Sequence, residues 1–297
     1  MPATVANGAS LANLAVTHLT RRLDGKVIEQ ISLGRPRSAE EADVYRTTVS
    51  KLSPFVANIV EVESKDFLNG LGLWPPNAKW IRQDPDFPDL ALLSGASIRA
   101  GVELKAWFPL ATEITGRFRE SQSHLREAGF EVLVFAWLPE FVLWGRPRIL
   151  KVWHGPAVDL AKVRDDHYFQ PPEYLVVEPQ DTTARTRNLQ QRNVGGFVFQ
   201  GTKTELARAK TIVAGWPTGS RYDTGADLQQ RIQGLMASFR YRSETNFAKM
   251  DRVVSPSLEE FKERVLALPV SGKTVAEWGR LFTGGSIDDL AKLPGPE

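Results

Sequence analysis

The apolar patterning of this sequence predicts an α/β fold: a mixed central β-sheet flanked by helices, with additional helices at both termini. Helical periodicity in the early part of the chain gives way to paired extended segments between Ile81 and Trp107. A run that is apolar without a break from Val132 to Leu138 follows. Such a run reads as a strand covered on both faces, and covering both faces takes helical layers.

The first thirty residues are weakly patterned and read as one helix with an irregular lead-in. Ser38 followed by Glu41 is a capping box, in which each side chain satisfies a free helix N–H. Ala42, Tyr45, Val49 and Leu52 then recur at helical spacing. Ser53-Pro54 ends that helix and starts another, since proline suits the first helical position. This second helix is expected to run to about Leu68, with Gly70 as its stop. Ile81–Leu93 and Ser97–Trp107 read as two strands joined by a turn around Ser94-Gly95, and Pro109 ends the second. A helix is expected from about Thr112 to Ala128, with Ile114, Phe118, Ser121, Leu125 and Ala128 on one face and Gly129 as its cap. The buried strand Glu131–Leu138 comes next, closed by Pro139. Further strands are expected near Arg148–Trp153, Tyr174–Glu178 and Gly196–Gln200. Helices are expected near Ala157–Arg164, Thr204–Val213, Ala226–Phe239 and Leu258–Leu268. No linker rich in Pro, Gly or Ser divides the chain, so a single domain over residues 1–297 is expected.

Composition removes several classes of function. Apolar residues make up 42% of the chain, ample for a core. No apolar run reaches the roughly 18 residues of a transmembrane span, so no membrane partner is expected. Arg21, Arg22 and Lys26 near the start are not followed by the apolar stretch of a secretory signal. With no cysteine there are no disulfides, thiolate metal sites or cysteine nucleophiles, and a reducing cytoplasm suits the chain. Four histidines without paired spacing do not make a structural zinc site. No Gly-x-Gly-x-x-Gly, Walker loop or Gly-x-Ser-x-Gly elbow is present, so no nucleotide cofactor and no ordinary metabolic α/β enzyme is indicated.

Chemistry concentrates in Pro88-Asp89, thirteen intervening residues, and Glu103-Leu104-Lys105. Side chains alternate faces along a strand, so Glu103 and Lys105 point one way while Val102, Leu104 and Ala106 point into a core. If the two strands pair, Asp89 enters opposite the end of the second and the three polar groups converge. Asp89 and Glu103 supply hard oxygen ligands of the kind Mg²⁺ accepts while keeping several waters. Lys105 would orient an attacking water or stabilise developing charge, and would limit repulsion between the carboxylates. The same Glu-x-Lys on an exposed strand would serve only solubility. Asp84-Pro-Asp-Phe-Pro-Asp89 holds two Pro-Asp pairs; Asp89 directly precedes the strand Leu90–Leu93, and Asp86 is the alternative.

Pro88-Asp89…Glu103-Leu104-Lys105 resembles the PD-(D/E)xK signature of the restriction-endonuclease-like nuclease superfamily, over roughly residues 53–140. The resemblance implies a catalytic core with a mixed sheet, Mg²⁺-dependent phosphodiester cleavage, Asp89 and Glu103 as metal ligands, and Lys105 as the third catalytic group. It is closest in kind to type II restriction enzymes, which implies a bacterial or archaeal cell. Many members carry a further acid on the helix before the hairpin. Glu63 shares a face with Val56, Ile59 and Phe67, whereas Glu61 points away, so Glu63 is either that acid or a helix-end glutamate reaching solvent. Gln122 matches a glutamine of the exonuclease-like branches, but Arg126 stands where those branches place a tyrosine, which argues against that branch.

The net charge is only +2, so DNA binding must come from a local concentration of positive charge. Between Asp181 and Lys210 six basic residues stand against two acids. Within it Arg185, Arg187, Asn188, Gln190, Gln191, Arg192 and Asn193 are the side-chain types that make bidentate contacts with guanine and adenine. Recognition elements are expected over about residues 180–250; a solvated loop is the plainer alternative. Arg117, Arg119, Arg240 and Arg242 are candidates for phosphate contacts, which give affinity and salt dependence. Three functions follow as expectations. The first is a type II restriction endonuclease acting on double-stranded DNA as a homodimer, because a two-fold symmetric site suits a two-fold symmetric protein. The others are a repair or modification-dependent nuclease of the same superfamily, and a non-catalytic DNA-binding protein.

Overall fold

The computed structural model describes residues 7–83, 87–111, 114–116, 125, 129–168, 203–216, 230–231, 234–235, 237–239, 248–249 and 255–284. In chain order these form α1 (Gly8–Leu23), α2 (Ala39–Thr48), a 3-10 turn (Val49–Leu52) and α3 (Ser53–Gly70). The strands β1 (Ala78–Arg82), β2 (Leu90–Ser94), β3 (Ser97–Trp107), β4 (Thr115–Gly116), β5 (Gly129–Pro139) and β6 (Pro147–Pro156) follow. Then come α4 (Ala157–Tyr168), α5 (Lys203–Ala214), β7 (Ala248–Lys249), α6 (Pro256–Leu266), β8 (Pro269–Val270), β9 (Lys273–Thr274) and α7 (Val275–Gly284).

Contacts divide the chain into two compact units: Met1–Ile114 with Ala128–Pro156 and Val254–Glu297, and Thr115–Glu127 with Ala157–Val253. The first unit is built on a five-stranded mixed sheet of order β1-β2-β3-β5-β6, in which only the β3–β5 pair is parallel. This is the expected α/β class. α1 lies on β3, β5 and β6 and buries Leu11, Ala12, Ala15, Val16, Leu19 and Leu23. The Asn7 side chain accepts from the Ser10 N–H at 2.8 Å and starts it. The Ser38 cap forms as expected: its hydroxyl accepts from Glu41 N–H at 3.2 Å, while the Glu41 carboxylate reaches back to the Arg37 N–H at 2.7 Å. α3 begins at Ser53-Pro54, where the Ser53 hydroxyl accepts from the Trp137 indole at 3.1 Å. Leu104, Leu133, Phe135 and Trp137 join Val56, Val60 and Leu68 of α3 in the main core.

Two expectations are corrected. Ile81–Leu93 is not one strand: β1 ends at Arg82 and β2 begins at Leu90. The intervening segment carries Pro85 and Pro88, which have no N–H to give a ladder. The helix expected from Thr112 does not start there, because Thr115–Gly116 is extended and pairs with Ala248–Lys249. Threonine and glycine are both poor helix formers; Ile114 is not helical, Leu125 is, and the other residues of that span lie outside the described residues. The helix expected near Leu258–Leu268 is α6, whereas the hairpin and helix that follow it were not anticipated. Ser271-Gly272, both at positive φ, turn β8 into β9, and α7 places Trp278 and Phe282 against Val142 and Leu143.

In the second unit, α4 and α5 match the helices expected near Ala157–Arg164 and Thr204–Val213. Arg208 of α5 lies over the Phe239 ring at 5.6 Å. The strands expected at Tyr174–Glu178 and Gly196–Gln200 lie outside the described residues. No described helix is long and apolar enough to cross a membrane.

Candidate active site

Strand register builds the site. β2 and β3 pair antiparallel with Leu90 opposite Val102, which brings Asp89, one residue before β2, beside Glu103. The Asp89 N–H donates to Glu103 Oε2 at 3.1 Å, and the Leu104 N–H donates to Asp89 Oδ2 at 2.7 Å. Lys105 Nζ donates to Glu103 Oε1. All three polar groups of the motif therefore meet at one spot. Parallel pairing sets Glu103 opposite Val132 and Lys105 opposite Val134, so the polar cluster sits on an apolar neighbour strand.

Gly101 makes room for this arrangement. A Cβ there would stand 2.3 Å from Pro88 Cγ and 2.7 Å from the Phe130 ring. Only a residue without a side chain lets Pro88, and hence Asp89, come down onto β3.

The electrostatics follow from enclosure. Burial pushes the Asp89 carboxyl well above its ordinary value, and the neighbouring Glu103 charge adds to this; Lys105 opposes it. For Lys105 burial disfavours the ammonium, but the Glu103 and Asp89 carboxylates outweigh that penalty and hold it protonated. Like charges are thus forced together in a partly dry place, with one ammonium as partial compensation.

The structure does not bring Glu63, the candidate further acid, to this cluster. Glu63 faces Gln30, which donates to its Oε1 at 2.8 Å, and Lys26, which pairs with Oε2. Burial opposes its charge, but these partners hold its carboxyl below the usual range. Glu61 is only 8% exposed, and its charge raises the Asp89 pKa and helps hold Lys105 charged. Arg82 of β1 donates to Glu61 Oε2 at 2.7 Å and also bonds Asn58. Burial nonetheless leaves the Glu61 pKa raised, with Arg82 opposing. Neither Glu61 nor Arg82 was singled out from the sequence. The missed signal was the helical stripe: Val56, Val60, Glu61, Ser64 and Leu68 are the buried positions of α3, and Ile59, Glu63 and Phe67 are not among them.

Asp86 lies outside the described residues, as do Arg117, Arg119, Gln122, Arg240 and Arg242. So do Arg185, Arg187, Asn188, Gln190, Gln191, Arg192 and Asn193.

Among the described residues, no three His, Asp or Glu side chains are gathered into a ready-made metal cage. The Asp89–Glu103 pair offers two carboxylates, a donor set that fits Mg²⁺, which is usually bound through one or two carboxylates and completes its shell with water and phosphate. No protein-family model matches the chain, and no curated protein matches it either.

Proposed function

We propose that this chain is a Mg²⁺-dependent endonuclease of the PD-(D/E)xK kind, cutting double-stranded DNA at a short specific site as type II restriction enzymes do. The observation that carries the reading is the meeting of Asp89, Glu103 and Lys105 through their own hydrogen bonds. Asp89 and Glu103 would hold the ion, which supplies Lewis acidity to water and phosphate. Lys105, kept protonated by its two carboxylate neighbours, places a positive charge where negative charge develops at phosphorus. The apolar neighbours Val132 and Val134 keep the surroundings dry enough for that charge to act strongly. The sequence-reading segment is assigned to Arg185–Asn193. A homodimer is proposed because two strands of a symmetric site call for two active sites.

The test is incubation with unmethylated phage DNA, with Mg²⁺ or with EDTA, beside Lys105→Ala. Discrete fragments that require Mg²⁺ are expected. Lys105→Ala should slow their appearance by about 10²–10³-fold, the usual loss when one preorganised donor to a developing charge is removed. Cleavage undiminished in the variant would overturn the assignment of the site. Attack confined to methylated, nicked or branched DNA would keep the chemistry and replace restriction by repair or modification-dependent cleavage.

A further inference from the structure

Gln83 stands in the same row of the sheet as the two carboxylates offered to the metal. The antiparallel register sets Arg82 opposite Leu90, and the next N–H, that of Gln83, donates to the Asp89 carbonyl at 2.8 Å. Leu90 is in turn opposite Val102, so one step along each strand aligns Gln83 with Asp89 and Asp89 with Glu103. Residues directly opposite one another in antiparallel strands put their side chains on one face, with Cβ atoms about 4.5–5.5 Å apart. Gln83 thus shares the face of Asp89, Glu103 and Lys105, whereas Arg82, one residue earlier, turns to Glu61 of α3 on the other. The strand that carries Gln83 is pinned to α3: Asn69 accepts from the Trp80 N–H and donates to the Trp80 carbonyl, both at 2.9 Å.

The Gln83 amide itself is the second observation. Its carbonyl oxygen Oε1 is buried and accepts no hydrogen bond among the described residues. In the same row Asp89 Oδ2 and both Glu103 oxygens each accept one. A buried acceptor left without a donor or an ion is a cost to the fold, and native structures hold few of them.

We propose that Gln83 Oε1 is the third protein oxygen on the divalent ion held by Asp89 and Glu103. The inference rests on the nuclease reading given above. An amide carbonyl is a hard oxygen of the class that suits Mg²⁺ and Mn²⁺. It is also neutral. Asp89 already carries the repulsion of Glu103, and a third carboxylate in the row would add to it whenever the ion is absent. Glutamine is one methylene longer than aspartate, so from the neighbouring strand it can lean across Asp89 to the ion.

Mn²⁺ titration calorimetry on the full chain, with electron spin-echo in D₂O to count the waters on the bound ion, tests this without reference to cleavage. Wild type is expected to bind Mn²⁺, and Asp89→Asn to lose it. Gln83→Leu is expected to bind at least about tenfold more weakly, with one more water on the ion. Gln83→Glu keeps the shape and adds a charge; it should bind at least about threefold more tightly, with the wild-type number of waters. Wild-type affinity in folded Gln83→Leu would overturn the role of Gln83 while leaving the metal site standing. Weaker binding with an unchanged number of waters would overturn it too, since Gln83 would then act only on the position of Asp89. Should Gln83→Leu not fold, Gln83→Glu decides: affinity no higher than wild type, or an extra water, sinks the proposal. No binding by the wild type would remove the nuclease reading and this inference together.

Discussion

Asp89 is held where its charge is unwelcome, and the proposed cation would relieve it. Burial and the Glu103 charge raise its pKa, so without metal the ionised carboxylate works against folding. The penalty is absent below the unfolded value of about 3.9 and grows as pH rises through the folded pKa. Asp89→Asn keeps an oxygen for the Leu104 N–H and removes the charge. In metal-free buffer at neutral pH it is expected to raise stability by about 0.5–2 kcal/mol, the usual gain on relaxing a functional site. Near pH 3 the gain should vanish. Added Mg²⁺ should raise the melting temperature of wild type and leave the variant where it was. A variant less stable than wild type in neutral metal-free buffer would show that Asp89 is structural. Asp89, Glu103 and Lys105 were legible because strand alternation fixes faces with a period of two. Glu61 was not: apolar residues at Val56, Ile59, Val60, Phe67 and Leu68 fit two helix faces, and the buried one runs through Glu61 rather than Glu63.

At the scale of elements, β3 carries both halves of the motif's geometry. Its face toward the main core holds Val102 and Leu104; its other face holds Gly101, Glu103 and Lys105. Gly101→Ala places a methyl group 2.3 Å from Pro88 Cγ, so either Pro88 or β3 must move. Overpacking of this kind costs about 1–3 kcal/mol, and the displaced group is the one that carries Asp89. The variant is expected to lose stability by that amount and to bind Mn²⁺ at least about tenfold more weakly, read by urea unfolding and calorimetry. Unchanged metal affinity in a destabilised variant would mean that Asp89 does not depend on the Gly101 gap. β5 was readable because its apolar run from Val132 to Leu138 is unbroken, and β3 because polar and apolar residues alternate along it. The edge of the sheet was not, since prolines between Arg82 and Leu90 split what period-two patterning runs together. The end of the chain offered signals that went unread: Ser271-Gly272 as a turn, and Thr274 with Glu277 as a capping box whose two bonds, at 3.2 and 2.6 Å, both form.

At the scale of the molecule, the mixed α/β sheet was legible, while the division into two units was not, because no change of composition marks where the chain leaves one unit and enters the other. The second unit contains the stretch from Asp181 to Lys210 in which six basic residues stand against two acids, whereas the metal-site candidates Asp89 and Glu103 belong to the first. If the second unit reads DNA and the first cuts it, the two activities should separate by mutation. In Arg185→Gln/Arg187→Gln/Arg192→Gln, each arginine that met a phosphate takes about one unit from the slope of log affinity against log salt, and each that met a guanine costs about 1–3 kcal/mol. Specific binding should fall by more than about tenfold at moderate salt, while Mn²⁺ still binds the first unit with wild-type affinity. Fluorescence anisotropy over a salt series, with calorimetry on the same sample, measures both. Full DNA affinity in the triple variant would remove this segment from recognition. Loss of metal binding along with DNA binding would mean that the substitutions act through folding, and the separation of reading from cutting would fail.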